Sequence, residues 1–336
     1  MPPVPLPELR CICSRQQPMD TEEPNPASSR RTRSLRQRVG RASVLYILVP
    51  YFAVTIIFAV FQRRLMYQPT VADRLSITDS GLGADFGIDV ELTTSDGYTL
   101  RGWLINGRSL HEQDRGNAPL VLYFPGNSLN RSERINELRE VAARGFDVLI
   151  FDYRGFGDST GSPTESTLSA DAMLVWQYAR NTLGYDERRI VVFGESIGGA
   201  VALSMWSTTN SRPPQPATLI LNSTFSSMPQ TVEWHYPLFP FRFLLLDRWP
   251  SIERIGRVHA PIIVFHGTDD KIVPVAHAHA LADASSTARL IEIPGGAHNE
   301  IPMLQLRTEL DGIMATLQKS DNHDATDNRG AENHGA

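Results

Sequence analysis

The stretch Ile190-Val-Val-Phe-Gly-Glu-Ser-Ile-Gly-Gly199 decides the fold. A run of β-branched and aromatic residues leads directly into the pattern Gly-x-Ser-x-Gly, and a segment of small residues with helical pattern follows. This is the context of a nucleophile elbow, a strained turn that exposes a serine hydroxyl at the carboxyl edge of a sheet. Ser196 is therefore the candidate nucleophile, and the backbone N–H of Ile197 is a candidate donor to an oxyanion. The alternative is an ordinary strand–helix turn with a capping serine.

Short apolar runs alternate with helical patterns on both sides of this stretch. The runs are Leu120–Phe124, Val148–Phe151, Ile190–Phe193, Thr218–Leu221, Ile262–Phe265 and Arg289–Ile293, and the helical segments are Ser132–Ala143, Ser166–Leu183, Ile197–Ser207, Val275–Ala284 and Glu300–Gln318. Before them, Ser95-Asp-Gly97 joins two alternating segments, Ile88–Thr94 and Tyr98–Asn106, in a hairpin. The alternation predicts an α/β fold with a mostly parallel, mixed sheet and helices on both faces.

A serine hydroxyl needs a base, and the base needs a carboxylate to orient it. In this kind of fold the order along the chain is Ser, then Asp or Glu, then His. Downstream of Ser196, the strand at Ile262–Phe265 leads into a loop with two candidates, Asp269 and Asp270. We select Asp270 and expect Asp269 to bond within the loop. The next strand ends in a glycine turn with His298, which is the predicted base.

A second oxyanion donor is expected from the loop after the first central strand. Leu120–Phe124 is followed by Pro125-Gly-Asn127, and the N–H of Asn127 can face the serine. A simple Pro-Gly turn is the alternative. The loop from Asp152 to Ser159 and the histidine at position 266 are interpreted as structural. The sequence contains no nucleotide-binding glycine motif and no metal-ligand pattern, so we predict neither cofactor nor metal.

The ends of the chain differ in composition from its centre. The protein has 336 residues and a net charge of −5, but arginines crowd the first forty residues. We predict a disordered basic tail at 1–41, a transmembrane helix at 42–62, a catalytic domain at 70–318 and a disordered tail at 319–336. The only cysteines, Cys11 and Cys13, lie in the first tail. A cleaved signal peptide and a buried core helix are the alternatives to the membrane span.

The run from Ser43 to Phe61 carries no charge. Its length is about that needed to cross a hydrocarbon core. More basic residues precede this run than follow it, although Arg63 and Arg64 reduce the bias. The positive-inside rule then predicts a cytoplasmic N-terminus and a catalytic domain on the far side of the membrane. Membrane lipid is thus the expected partner of the helix, and nucleic acid is not expected.

With these motifs in place, the chain resembles the α/β-hydrolase superfamily, and within it the membrane-anchored, small-capped group called α/β-hydrolase-domain or serine-aminopeptidase-like proteins. The motifs are Phe124-Pro-Gly-Asn127, Asp152-Tyr-Arg-Gly-Phe-Gly157, Gly194-Glu-Ser-Ile-Gly-Gly199, His266-Gly-Thr-Asp-Asp270 and Gly295-Gly-Ala-His298. The resemblance implies a triad of Ser196, Asp270 and His298, with Asn127 and Ile197 as oxyanion donors. It also implies a cap at about 222–260.

These features predict a serine hydrolase of the carboxylesterase or lipase type. The expected substrate is a small-molecule ester or thioester of a lipid-like acid, because the cap is rich in large apolar residues and the helix keeps the site near a membrane. The same motifs occur in peptidases and amidases, which are the second reading. A non-catalytic interaction module of the same fold is the third.

Overall fold

The computed structural model describes residues 37, 39–81, 86–107, 118–208, 210–298 and 302–332, with side chains described as far as residue 320. The chain divides into two compact units, Met1–Val54 and Thr55–Ala336. In the first unit the described residues are helical, with a π-helical stretch at Val44–Leu48. The helix is already present at residues 39–41, which corrects the predicted tail there; nearly all of the remaining tail lies outside the described residues.

One helix in the described part of the chain, Val39–Met66, is long and apolar enough to cross a membrane. Its 28 residues would extend about 42 Å, which exceeds the roughly 30 Å of a hydrocarbon core. It is longer at both ends than the predicted segment 42–62. Ile56, Ile57 and Val60 are exposed on α1 (Val49–Met66), whereas a core helix of a soluble protein would bury such residues. Two basic residues in its last turn, Arg63 and Arg64, interact favourably with the negative end of the helix dipole.

The second unit is built on an eight-stranded sheet of order β10-β9-β8-β7-β4-β6-β3-β2. All neighbouring strands are parallel except β3, which is antiparallel to both β2 and β6. A separate parallel pair joins β1 to β5. The strands are β1 (Gln68–Pro69), β2 (Gly87–Thr93), β3 (Thr99–Ile105), β4 (Leu120–Phe124), β5 (Ser128–Leu129), β6 (Asp147–Phe151), β7 (Ile190–Glu195), β8 (Thr218–Asn222), β9 (Ile262–Gly267) and β10 (Ala288–Ile293). The predicted mixed, mostly parallel sheet is confirmed.

Helices cover both faces of this sheet. Along β7, Ile190 and Val192 belong to one buried cluster, and Val191 and Phe193 belong to the other. The helices after α1 are α2 (Ile135–Ala142), α3 (Glu165–Gln177), α4 (Ile197–Ser204), α5 (Met228–His235), α6 (Phe241–Leu244), α7 (Ser251–Ile255), α8 (Ala276–Asp283) and α9 (Met303–Glu332). The first cluster includes residues of α3, α4, α7 and α8, and the second includes residues of α2 and α9.

Two segments outside the sheet complete the second unit. The cap consists of the short helices α5, α6 and α7, which lie between β8 and β9 where the cap was predicted. The last helix, α9, continues to Glu332, which corrects the predicted tail for residues 319–332. That prediction was based on polarity. The stretch has no proline to end a helix, and polar residues are compatible with an exposed helix.

Candidate active site

The turn between β7 and α4 holds Ser196 in a strained backbone conformation, with φ +53° and ψ −118°. Residues with a Cβ rarely adopt a positive φ, and such strain persists only where the surroundings enforce it. A Cβ at Gly194 would lie 2.5 Å from the Cα of Gly199, and one at Gly198 would lie 2.1 Å from the carbonyl oxygen of Phe124. Glycine is therefore required where the strand, the helix and the loop after β4 meet.

Glu195 holds this turn in place through contacts of its side chain. Its carboxylate accepts a hydrogen bond from the hydroxyl of Tyr123 at 3.1 Å and pairs with Arg134 at 3.1 Å. The backbone N–H of Ser196 donates to the carbonyl of Asn222 on the neighbouring strand at 2.8 Å. These contacts fix the turn from β4, β8 and the segment before α2.

The structure brings the three predicted polar groups into a continuous chain of hydrogen bonds. Ser196 Oγ lies 3.0 Å from His298 Nε2, and His298 Nδ1 lies 2.7 Å from Asp270 Oδ2. Both distances are in the range for a hydroxyl–imidazole–carboxylate relay. His298 stands on the loop after β10 and Asp270 on the loop after β9, so the carboxyl edge of the sheet positions all three.

Asp270 is fixed more firmly than its neighbour. Its Oδ1 accepts the backbone N–H groups of Ile272 at 2.9 Å and Val273 at 2.8 Å. Burial by itself would raise the pKa of Asp270, but hydrogen bonds from His266 and His298 outweigh it and hold the pKa below its usual value. Asp269, the other candidate, is exposed and donates its backbone N–H to the carbonyl of Gly296.

His266 contacts the site, although its position before a glycine at the end of a strand predicts a structural role. Its Nε2 lies 2.7 Å from the carbonyl oxygen of Val273 and 3.3 Å from Asp270 Oδ2, and the side chain is fully buried. A second buried histidine, His277, lies 2.7 Å from the hydroxyl of Ser226. Burial lowers the pKa of His277 to about 4, so this ring is neutral at pH 7. The four-residue spacing does not signal the contact, because His266 lies at the end of β9 and Asp270 lies in the loop after it, and not on one helix.

The two predicted oxyanion donors lie beside Ser196. Asn127 and Ile197 line the same cavity as Ser196 and His298. In the described part of the chain, the carbonyl of Asn127 accepts from the N–H of Gln68, and its side-chain amide donates to the carbonyl of Met66. Its backbone N–H is used by neither bond. The N–H of Ile197 is at the first position of α4, where helical donors have no intrahelical acceptor.

The cavity in front of Ser196 has a volume of about 520 Å³. Its wall is mostly apolar and includes Phe225, Val232 and Leu245 from the segment between β8 and β9. This size and lining are typical of sites for small organic ligands. Among the residues whose side chains are described, no group of three or more His, Cys, Asp or Glu could hold a metal ion.

Comparison with known proteins agrees with this architecture. Residues 119–251 match a family model described as the alpha/beta hydrolase fold. An uncharacterized protein of Mycobacterium tuberculosis is 40% identical over 260 residues, which is 77% of this chain and 88% of that protein. The chain belongs to the α/β-hydrolase superfamily. The motifs quoted above predicted this superfamily from the sequence, and the prediction is confirmed.

Two further matches are to proteins described as a lipase and an esterase. The lysophosphatidylserine lipase ABHD12 of Danio rerio is 29% identical over 186 residues, which is 51% of this chain and 48% of that protein. The solved structure of an esterase of Pyrococcus furiosus superposes with a TM-score of 0.54 at 20% identity, covering 75% of this chain and 98% of the esterase. At that identity the esterase structure shows the shared fold. Together the family, the fold and these relatives support a hydrolase.

Proposed function

We propose that this protein is a serine hydrolase that cleaves carboxylic esters or thioesters of lipid-like acids. The observation that carries the proposal is the chain of hydrogen bonds from Ser196 through His298 to Asp270, which opens on an apolar cavity. A serine hydroxyl within hydrogen-bond distance of an imidazole, whose other nitrogen faces a buried carboxylate, is the arrangement that activates a serine for attack.

The proposed reaction has two halves. Ser196 Oγ attacks the substrate carbonyl carbon while His298 Nε2 takes the hydroxyl proton, and the N–H groups of Asn127 and Ile197 stabilise the oxyanion. The tetrahedral intermediate expels the alcohol or thiol, which leaves with the proton from His298. Water then attacks the acyl-enzyme with His298 as base, releasing the acid and restoring the serine. Each oxyanion donor contributes about 3–4 kcal/mol to such a transition state.

Two features favour an acyl substrate. The cavity is lined mainly by apolar side chains, and binding an acyl chain there would remove its methylene groups from water at about 0.8 kcal/mol each. One relative is named a lysophosphatidylserine lipase, and a protein of the same fold is named an esterase. A peptide substrate would instead require polar groups for its backbone, so an amidase or peptidase is the second candidate.

Labelling with a fluorophosphonate and hydrolysis of p-nitrophenyl esters test the proposal on the purified full chain. We expect Ser196→Ala to abolish labelling and to lower kcat by more than about 10³-fold. Ser204→Ala is the matched control, because Ser204 lies on the same helix and donates to the carbonyl of Val201, away from the cavity. Labelling that persists in Ser196→Ala would refute the assignment. Faster turnover of aminoacyl anilides than of esters would favour the peptidase, and a wild-type chain that neither labels nor turns over would favour the non-catalytic module.

We also propose that the Val39–Met66 helix spans a membrane with the N-terminus in the cytoplasm and the catalytic unit on the opposite side. The support is the apolar length of the helix and the arginines before it. An impermeant maleimide applied to intact cells should leave Cys11 and Cys13 unlabelled. A variant without both cysteines but with Arg188→Cys, at a side chain that is 78% exposed, should be labelled. The reverse pattern would invert the orientation.

A further inference from the structure

The part of α1 from Phe58 to Met66 lines the cavity that contains Ser196. Phe58, Gln62, Leu65 and Met66 contribute to its wall. All four belong to the second unit, together with the catalytic groups. The helix that is apolar enough to cross a membrane therefore also provides residues to the candidate active site.

The cap holds this end of the helix by specific contacts. The side chain of Gln62 is buried, donates to the carbonyl of Leu244 at 3.0 Å and accepts from the N–H of Leu246 at 2.7 Å. The next residue, Arg63, makes two hydrogen bonds of 3.0 Å to the buried carboxylate of Asp247. Bidentate pairs of this kind fix orientation as well as distance. The contacts identify the helix end as a fixed part of the cavity wall.

The segment that leaves the helix holds the candidate oxyanion loop. The carbonyl of Met66 accepts the side-chain amide of Asn127 at 3.0 Å, and the N–H of Gln68 donates to the carbonyl of Asn127 at 2.9 Å. The short strands β1 and β5 continue this contact in parallel register. The peptide group that follows Asn127 is thereby held in a fixed orientation from the helix side.

Phe58 occupies the point where the two roles of the helix meet. It lies inside the uncharged run that ends at Phe61, whereas Gln62 is the first polar residue after it. Its ring stacks on Phe241 of the cap, with centroids 3.9 Å apart and planes 9° apart. Phe58 is therefore a residue of the membrane-type apolar run that also lines the cavity, and Gln62, Leu65 and Met66 continue the wall beyond that run.

We propose that the end of α1 is part of the active site, where Phe58 forms the wall against the acyl chain and the Met66–Gln68 segment positions the oxyanion loop through Asn127. The substrate class is then an amphiphile with one long acyl chain, whose chain lies along Phe58 while its ester or thioester carbonyl reaches Ser196. This inference rests on the proposed function. Phe58 is a specificity-determining residue in this scheme, and Met66 and Gln68 are positioning residues.

The test compares acyl esters of four and twelve carbons on the full chain in detergent micelles. In Phe58→Ala, kcat/KM for the long ester should fall roughly tenfold, which is the effect of about two methylene contacts, while the short ester changes less than about twofold. Phe61→Ala is the matched control, because Phe61 is three residues further along the same helix and half exposed. Phe241→Ala controls for loss of ring stacking, since Phe241 does not line the cavity.

A second variant separates positioning from chain recognition. Asn127→Ala keeps the backbone N–H but removes the side-chain bond to Met66, so kcat should fall to a similar extent for both esters with KM little changed. The ratio of kcat/KM for the long ester to kcat/KM for the short ester is compared between Phe58→Ala and Phe61→Ala. Equal ratios, with an active wild type, would overturn the role of Phe58 and leave the proposed function standing. An Asn127→Ala variant with wild-type kcat would overturn the positioning role. A wild type that hydrolyses no ester would overturn the proposed function, and with it this inference.

Discussion

A methyl group added at Gly198 tests how closely the elbow and the loop after β4 pack together. The Cβ of an alanine there would lie 2.1 Å from the carbonyl oxygen of Phe124 and 2.4 Å from that of Pro125. Both are backbone atoms, and Cβ contacts below 3.0 Å are essentially absent from proteins. Because a close-packed interior has no free space at this point, the loop must move away from the helix by roughly 1 Å.

Two effects on stability oppose each other in Gly198→Ala. Alanine is favoured over glycine within a helix by about 0.5–1 kcal/mol. Overpacking costs about 1–3 kcal/mol, so the free energy of unfolding should fall by about 0–2.5 kcal/mol in total. The effect on turnover should be larger, because the displaced loop carries the N–H of Asn127. A misplacement of about 1 Å can cost about 10²-fold in rate, similar to the loss of one oxyanion donor.

The assay measures kcat/KM for a p-nitrophenyl ester and the urea unfolding midpoint of the same preparations. Gly312→Ala is the control, because a Cβ at this position in α9 meets nothing within 4 Å. Gly312→Ala should unfold at the same or a higher urea concentration with unchanged turnover, whereas Gly198→Ala should lose about 10²-fold in kcat/KM. A Gly198→Ala protein with wild-type turnover and midpoint would refute the close contact between the loop and α4.

Three other changes probe buried charges and buried hydrogen bonds. The pKa of Asp270 is lower in the folded than in the unfolded chain. Its contribution to stability is therefore complete above the unfolded pKa of about 4 and is lost as the pH falls toward the folded pKa. The difference in free energy of unfolding between wild type and Asp270→Asn, measured in urea, should shrink in acid and be constant near pH 7. His266→Leu leaves the carbonyl of Val273 without its donor and should lower the free energy of unfolding by about 1–3 kcal/mol, whereas a wild-type value would contradict the contact. Arg131→Met leaves the buried carboxylates of Asp152 and Asp158 without their cation. It should lower the free energy of unfolding by about 3–5 kcal/mol or prevent folding at 37 °C, and a thermal melt that matches wild type would disprove this.

The sheet could be predicted from the sequence because its strands are short apolar runs with both faces buried. Leu120–Phe124 was predicted at the bounds that the structure has, and all five residues are buried. The other central strands extend one or two residues further, since strand pairing continues into polar residues such as Asn222 and His266. The order of candidate residues along the chain predicted which groups meet, because loops at the carboxyl ends of parallel strands share one edge.

The contacts of α1 could not be predicted from sequence spacing. Gln62 and Leu246 are 184 residues apart, and a glutamine after an apolar run is equally compatible with an exposed membrane interface. The choice between Asp269 and Asp270 had a local basis, but the contact of His266 with Asp270 depends on the path of the loop after β9. Hydrogen bonds between distant segments follow from which surfaces pack together, and local pattern does not determine that.

The two sides of the candidate oxyanion hole are supported in different ways. The elbow side is held from within the sheet, because Ser196 donates to Asn222 and Glu195 pairs with Arg134. These residues lie within 119–251, the stretch that matches the family model. The loop side is held at Asn127 by Met66 and Gln68, which lie outside that stretch. The support of the serine turn is therefore contained in the matched stretch, whereas the support of the second oxyanion donor depends on the segment that precedes it. A truncation that removes α1 and β1 should for this reason impair turnover even if the sheet still folds.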